Sequence, residues 1–504
     1  MRDGPSVQSI GGKDLIKDTL EYLPAQVLPA LLNIVFLPLI TRYLSPDEYG
    51  YYTLVISVVT LVNTTTNWLS ISVSRFYYAY SETNQFSSFI SSVMVSLLST
   101  AVLTAVSLFI LLSGLKNTLS GVFVRSFFVA FFLILALIPL DTFLGFLRVR
   151  RQIRWYSFFS VLKVLGGWLF GVGFMLLLPY RVEALIMGSF VAVVLTLFFV
   201  GPLIGKELIF SIKNYSGSLI MEMLRYSFPL LVGNFAAWIL SFSDRYILQI
   251  YRGAYEVGIY SVAYRVAESS ILLLLSLFAF SFNPLIIFVW EKQGQSAASS
   301  FLETGTRYYI LLCLPAVIGL SVIQKPLLAI FASPDYGAGA LILPWVAFGI
   351  FFFGLFQRFG AIFSLHKKTV PPVMALIGTG LINICLNLIL VPYFGYRAAA
   401  MTTTASYVLL LGWVALGTRK LMVWQFPWRT LLRAGFAAAG MGGGIWFIGQ
   451  WIHSSALINL LLSIPIGVIL FCILLVLTKE IRADEFRAIK AIFQRGFNKE
   501  LLFR

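Results

Sequence analysis

The feature that most constrains this chain is a succession of apolar segments, each about 20 residues long, joined by short polar links. A helix of that length rises about 30 Å, which is the thickness of the hydrocarbon core of a membrane. The segments lie at 22–43, 51–73, 88–113, 122–147, 156–178, 183–205, 225–247, 256–282, 305–331, 338–364, 370–391, 396–418, 428–450 and 455–478. We therefore predict an all-α polytopic membrane protein with about fourteen transmembrane helices.

Composition excludes a soluble protein of this size. Of the 504 residues, 59% are hydrophobic and only 12% are charged, too few to cover a water-exposed surface. No short apolar region with a small-residue cleavage site precedes the first segment, so no removed signal peptide is expected. Cys313, Cys385 and Cys472 all lie in apolar runs, which favours buried thiols over a disulfide or metal site. We expect no metal and no cofactor.

The distribution of the net charge of +16 indicates orientation and excludes a nucleic-acid partner, because the basic residues never collect on one soluble domain. They concentrate instead in alternate links, as the positive-inside rule requires. These links carry Arg148, Arg150, Arg151, Arg154, Lys206, Lys213, Arg225, Lys367, Lys368, Arg419, Lys420, Arg429 and Arg433. We predict that both termini are cytoplasmic and that the protein lies in the cytoplasmic (inner) membrane.

Two polar stretches are predicted to lie flat on the inner leaflet. The link 206–224 could form an interfacial helix with Leu208, Ile209 and Ile212 turned to lipid. The tail 479–504 places apolar residues at helical spacing among charges, which indicates an amphipathic helix.

A pattern near residue 42 recurs about 200 residues later. Arg42-Tyr43 matches Arg245-Tyr246, and Glu48-x-Gly50 matches Glu256-x-Gly258. Six spans separate the two copies, so both enter the membrane from the same side as parallel repeats. The predicted units are an N-lobe at 1–206, a cytoplasmic link at 207–224, a C-lobe at 225–420, two further spans at 421–478 and the tail at 479–504. Two such lobes suit transport by alternating access.

Three stretches carry a resemblance to a known family: LPLITRYLSPDEYGYYTL, YEVGIYSVAYRV and NICLNLILVPYFGYRAAAMTT. With them the chain resembles the polysaccharide transporter family, the O-antigen-type flippases of the multidrug/oligosaccharidyl-lipid/polysaccharide exporter superfamily. The resemblance implies translocation of a polyprenyl-pyrophosphate-linked oligosaccharide to the outer leaflet for cell-surface polysaccharide synthesis. It also implies a cationic central cavity. A polysaccharide polymerase and a chain-length regulator are expected as partners, beside membrane lipid and the glycan itself.

Ionisable side chains at membrane depth are costly, and they mark candidate sites. A diphosphate head group calls for cations, and arginine suits it through bidentate geometry. The predicted cationic lining is Arg265, Lys163, Arg358, Arg75 and Arg148, and the aromatic rings predicted to stack on sugars are Tyr260, Tyr264 and Trp168. Lys163 stands out because no acidic residue lies within one helical turn of it.

Structural explanations compete with these assignments. Arg265 and Glu268 could form an ion pair, and Arg75, Arg148 and Arg358 could extend to the inner surface. Arg42 and Arg245 are expected to fix helix ends at the membrane surface. Three acidic residues are candidates for coupling to protons or sodium: Asp141, Glu268 and Asp244.

Other functions remain open. A multidrug or toxic-compound extruder of the same superfamily is disfavoured because basic groups outnumber acidic ones at membrane depth, whereas a peptidoglycan-precursor flippase would need the same cations. A membrane glycan polymerase or glycosyltransferase would need an acid/base or metal motif, which is missing here, so no catalytic residue is predicted. The last two spans are expected to pack against lipid or to form a groove for the prenyl tail.

Overall fold

The computed structural model describes residues 12–81, 83–117, 119–205, 211–451 and 455–481, with side chains from residue 21 onward except those of 115, 212, 272–281, 283 and 284. Within these residues the regular structure is helical. The α-helices are α1 Gly12–Val35, α2 Leu37–Tyr43, α3 Pro46–Thr66, α4 Trp68–Ser81, α5 Phe86–Leu115, α6 Gly121–Val149, α7 Ile153–Leu177, α8 Arg181–Gly205, α9 Gly217–Arg252, α10 Ala254–Val322, α11 Gln324–Phe331, α12 Leu343–Leu365, α13 Val370–Thr418, α14 Trp428–Trp451 and α15 Ala456–Leu477. Short 3₁₀ turns cover Ile212–Asn214 and Pro334–Ile342.

The predicted membrane architecture is confirmed. Twelve stretches among the described residues are helical, long and apolar enough to cross a membrane. One of them, α13, joins two helices at Gly395, whose φ of +59° breaks the helix. Helix α10 joins two helices at Gly294 in the same way, and its first part holds the predicted eighth span. With α10 and α13 each divided in two, the described helices account for the fourteen predicted spans.

The helices pack as two groups with an appended pair. Helices α6, α7 and α8 pack together with α3 and α1, and we call this group the N-lobe; α9, α12 and α13 pack together with α10, and we call this group the C-lobe. The last two helices, α14 and α15, pack on each other and attach to the second group through α10. Helix α10 also packs along α3, which brings the two groups together.

We name the two ends of this bundle by one residue each. The Gly253 end also carries the link from α2 to α3, and the Arg150 end also carries the end of α4, where the Tyr78 hydroxyl donates to the Val149 carbonyl. Basic residues cluster at the Arg150 end.

The first copy of the repeated motif begins α3. Ser45 Oγ accepts from the Glu48 backbone N–H (3.3 Å), and Glu48 Oε2 accepts from the Ser45 N–H (2.9 Å). This capping box, followed by Pro46 in the first turn, satisfies N–H groups that have no partner inside the helix.

The two motif copies meet each other across the lobes at the Gly253 end. A Cβ atom on Gly50 would lie 2.1 Å from the Ala254 carbonyl oxygen, and one on Gly258 would lie 1.9 Å from the Pro46 carbonyl oxygen. The contact is reciprocal: the glycine of each copy packs on the first turn of the helix that carries the other. The repeat therefore marks an interface where only glycine allows the two backbones to approach.

Some boundaries differ from prediction. Helix α9 begins at Gly217, so the second half of the predicted link 207–224 already belongs to the seventh span; Leu208 and Ile209 lie outside the described residues. The ninth span begins directly after Gly294 and ends at Val322, because the polar surface of residues 295–300 extends beyond the apolar run. Of the tail, only 479–481 is described.

Candidate functional site

The candidate site lies between the two lobes, beneath the contact at the Gly253 end. Around the glycine contact, Tyr336 donates to the Leu44 carbonyl (3.0 Å), and its ring meets that of Tyr49 edge-on with centroids 6.0 Å apart. The Ser333 N–H donates to Thr41 Oγ1 (3.2 Å). These contacts close the Gly253 end in this conformation.

Arg265 lies at the lobe boundary just below this closure. Its guanidinium, carried by α10, lies beside the hydroxyl groups of Tyr49 and Tyr52 on α3. Glu268, three residues further on, is close enough to interact with it. Both charged side chains are half-buried. The structure therefore brings together one predicted cation, one predicted carboxylate and two tyrosines at the boundary between the lobes.

Asp244 and Arg245 form a buried polar network inside the C-lobe. Arg245 Nη1 lies 3.1 Å from Asp244 Oδ1, and only 6% and 1% of the two side chains are exposed. Asp244 Oδ2 accepts from the Tyr260 hydroxyl and from Thr403 Oγ1 (3.4 Å). The expectation that Arg245 marks the membrane surface is wrong, because α9 continues to Arg252 and the C-lobe packs around this residue.

The two predicted stacking tyrosines belong to the same network. Tyr260 and Tyr264 are buried, and the guanidinium carbon of Arg245 lies 5.3 Å and 4.8 Å from their ring centroids. In this conformation their faces contact protein.

Lys163 has an acidic partner that sequence spacing did not reveal. Its Nζ lies 3.3 Å from Asp141 Oδ1, and 26% and 20% of the two side chains are exposed. Asp141 comes from α6 and Lys163 from α7, so the pair joins two neighbouring helices of the N-lobe. No acidic residue lies within one turn of Lys163 on its own helix, as the sequence showed, but the neighbouring helix supplies one, so Lys163 has a structural explanation as an ion pair.

Trp168 also connects helices of the N-lobe. Its Nε1 donates to Asn33 Oδ1 (3.1 Å), and its ring stacks on Phe36 at a centroid distance of 5.8 Å. Helix α7 is thereby fastened to the first span.

Arg75 and Arg148 are exposed near the Arg150 end. Arg148 Nη2 donates to Ser74 Oγ (3.2 Å). Arg75 lies over the Tyr226 ring at 5.9 Å and lines a cavity of about 350 Å³ shared with Glu222. Both positions agree with the structural alternative in which Arg75 and Arg148 extend toward the surface at the end of the bundle.

Arg358 lies inside the C-lobe and does not face the lobe boundary. It is 2% exposed, and its guanidinium carbon lies 4.5 Å from the Phe282 ring centroid and 5.5 Å from that of Tyr309. In this conformation its guanidinium packs on aromatic rings of the C-lobe.

Sequence reasoning missed two sets of neutral polar side chains at membrane depth. In α13, Asn387 Nδ2 donates to Asn383 Oδ1 (3.0 Å) and Thr402 Oγ1 donates to Asn387 Oδ1 (2.6 Å). The second set lies in the run TLVNTTTNW, which covers the end of α3, its cap Asn67 and the first residue of α4. The sequence signal for the second set was the drop in hydropathy within the second apolar segment. It was missed because only charged and aromatic residues were considered as candidates.

The sequence matches two protein-family models, and the fold superposes on a solved transporter structure. The family model described as "Polysaccharide biosynthesis protein" matches residues 15–290, and the MatE family model matches residues 229–389. The chain superposes on "Lipid II flippase MurJ, inward closed conformation" with a TM-score of 0.74 and 17% identity, covering 92% of this chain and 99% of that one.

Two curated relatives match at low identity. An uncharacterized membrane protein of Methanocaldococcus jannaschii is 26% identical over 218 residues, 42% of this chain and 42% of its own. A probable low-salt glycan biosynthesis flippase of Haloferax volcanii is 21% identical over 285 residues, 55% of this chain and 58% of its own. The chain spans about half the length of the curated relatives it matches.

Proposed function

Since the chain belongs to the polysaccharide biosynthesis protein family, we propose that it moves a polyprenyl-pyrophosphate-linked oligosaccharide across the cytoplasmic membrane by alternating access. The probable glycan flippase of Haloferax volcanii supports this assignment. The observation that carries it in the molecule is Arg265, a half-buried cation at the boundary between the two lobes.

The surroundings of Arg265 suit an anion that arrives and leaves. Its present partners are the carboxylate of Glu268 and two tyrosine hydroxyl groups. Together they carry one negative charge, so a diphosphate, which carries more, can replace them. A guanidinium can bind two phosphate oxygens at once, and a site shielded from bulk water strengthens that attraction. Arg148 and Arg75 are positioned to attract the same head group at the Arg150 end.

The basic links give the proposed direction. Under the positive-inside rule the Arg150 end faces the cytoplasm, and both termini lie on that side. The closed Gly253 end then faces outward, so release into the outer leaflet requires α3 and the start of α10 to separate. The glycine contact between the two motif copies is the interface that must open.

We propose the three carboxylates as candidates for coupling transport to a proton or sodium gradient. Asp141 is paired with Lys163, Asp244 with Arg245, and Glu268 interacts with Arg265. Asp141 remains the first candidate because its pair is the more exposed of the two direct ion pairs. Transport that persists unchanged after the ion gradients and membrane potential are collapsed would remove all three.

The proposal is tested with purified protein in liposomes that contain a polyprenyl diphosphate bearing a labelled oligosaccharide. Arg265→Ala is expected to slow movement at least tenfold, since it removes the cation at the boundary, and Lys163→Ala is expected to slow it less. Arg419→Ala, an exposed arginine at the end of α13, is the matched control. Full activity of both site variants would reject the cationic site.

Two rival functions give different results in the same experiment. The MatE match to residues 229–389 favours a drug extruder as the second candidate. A drug extruder would move organic cations and leave the glycolipid in place. A peptidoglycan-precursor flippase would move the lipid-linked precursor faster than other oligosaccharides. Co-purification with a polysaccharide polymerase or a chain-length regulator would test the proposed partners.

A further inference from the structure

Four neutral polar side chains form a stripe along the last turns of α3 and its C-terminal cap, Asn67, near the middle of the second span. Thr60, Asn63, Thr64 and Asn67 lie at i, i+3, i+4 and i+7, so they share an arc of about 100° on one helix face. We call them the polar stripe. They lie near the midpoint of the 36-residue span Pro46–Ser81. All four are half-buried.

The other faces of this span are occupied. Val55, Val59 and Val73 are buried in the main hydrophobic core. Leu54 and Val58 line an apolar pocket that α3 shares with α5, α6 and α9.

A third face is fastened to α9. Ser57 Oγ lies 2.6 Å from the Tyr246 hydroxyl, and Ser72 Oγ lies 2.8 Å from Ser227 Oγ. The polar stripe lies next to this α9 contact, since Ser57 precedes Thr64 by seven residues, and Tyr49 on the same side lies beside Arg265 of α10, so the stripe is turned toward the C-lobe helices α9 and α10.

Cationic groups flank this face at both ends. Tyr49 lies beside Arg265. It precedes Thr60 by three helical turns, on the same side of α3 as the stripe. Ser74, two turns below Asn67, accepts a hydrogen bond from Arg148. The stripe therefore runs between the two arginine positions of the candidate site.

The stripe has unused hydrogen-bonding groups. Thr60 Oγ1 donates to the Ile56 carbonyl (2.8 Å). Among the residues that the structure describes, the amides of Asn63 and Asn67 and the hydroxyl of Thr64 have no hydrogen-bond partner. Amides left unpaired against hydrocarbon are strongly unfavourable, so these groups face water or a hydroxylated ligand.

We propose that the polar stripe is a binding site for the sugar hydroxyls of the transported head group, separate from the arginines that bind its phosphates. An amide offers both a donor and an acceptor, which matches a pair of neighbouring hydroxyls, and its neutrality does not compete for the diphosphate. The stripe extends over about 10 Å, enough to contact more than one sugar ring. This inference rests on the proposed function and assigns the sugar part of the same cavity.

The test compares two lipids in proteoliposomes: a polyprenyl diphosphate linked to a neutral disaccharide, and the same polyprenyl diphosphate without sugar. Thr64→Val removes a hydroxyl from the stripe with little change of shape, and Thr65→Val makes the same change one residue away, at an exposed position off the stripe. Asn63→Leu/Asn67→Leu removes both amides.

Thr64→Val is expected to slow the disaccharide lipid about fivefold, the typical effect of one lost hydrogen bond, and the double variant is expected to slow it further. Movement of the sugar-free lipid should change less than twofold, and Thr65→Val should leave both lipids unchanged. Melting in detergent confirms that each variant is folded.

Three outcomes would overturn the assignment. Equal loss for both lipids would mean that the stripe acts in gating or packing, and normal disaccharide movement in Thr64→Val and in the double variant would mean that it contacts no sugar. Failure of the unmodified protein to move either lipid would instead reject the proposed function, and the stripe assignment would fall with it.

Discussion

Two ion pairs within the predicted spans, one in each lobe, differ in how deeply they are buried. In the C-lobe, Asp244 and Arg245 are 1% and 6% exposed and are surrounded by tyrosines, whereas in the N-lobe Asp141 and Lys163 are 20% and 26% exposed and join two helices. A buried pair is costly to break because either partner left alone is an uncompensated charge. A half-exposed pair can exchange its partner for water or ligand at little cost. The comparison indicates that the C-lobe network is structural and that the N-lobe pair is adjustable.

The largest effect is expected from breaking the buried pair. Asp244→Asn should lower the free energy of unfolding by about 3–5 kcal/mol, because Arg245 then stays buried without its carboxylate. Thermal unfolding in detergent measures the loss. Asp244→Asn/Arg245→Met, which removes both charges, should recover most of it. A single variant as stable as the unmodified protein would show that Arg245 reaches water.

A smaller effect is expected where the lobes meet. Gly50→Ala and Gly258→Ala each place a methyl group against a backbone carbonyl of the other lobe, and each should cost about 1–3 kcal/mol by forcing the helices apart. Gly173→Ala in α7, where nothing lies within 4 Å of the added atom, is the control. Equal melting of all three variants would mean that the contact at the Gly253 end contributes no stability.

The motif copies themselves should respond differently at their helix starts. Ser45→Ala removes the side-chain cap of α3 and should cost about 1 kcal/mol. The corresponding start of α10 has Gly253 at φ +83° with no side-chain cap, so Gly253→Ala should cost about 1–2 kcal/mol through backbone strain. Melting of the two variants measures both effects. Stability retained in Gly253→Ala would show that α10 does not depend on this left-handed residue.

The smallest effect on stability is expected in the N-lobe pair. Asp141→Asn should change the free energy of unfolding by less than about 1 kcal/mol, because the pair is partly exposed, at 20% and 26%, and exposed pairs contribute little stability. Glycolipid transport should nevertheless fall, since Lys163 would bind the anion without competition and release it slowly. The comparison between lobes fails if Asp141→Asn destabilises the protein as much as Asp244→Asn does.

Prediction from sequence succeeded for the scaffold and less well for the site. The sequence predicted the spans, the six-helix repeat and the glycine of each motif copy, because the length of an apolar segment and the spacing within a motif are local properties. The pairing of Lys163 with Asp141 was not readable, since 22 residues and a change of helix separate them. The positions of Arg358 and Tyr260 within packed helices were equally hidden, because hydropathy does not show which side of a helix a neighbour covers.

The amino-acid sequence by itself determined that the chain spans a membrane many times and that it repeats, since burying apolar segments about 20 residues long leaves few other solutions. Only the tertiary structure decided which charges are paired, which are locked in a lobe and which, like Arg265 and the polar stripe, face the boundary between the lobes. The physical reason is that each of these outcomes depends on helix rotation and on partners far away along the chain.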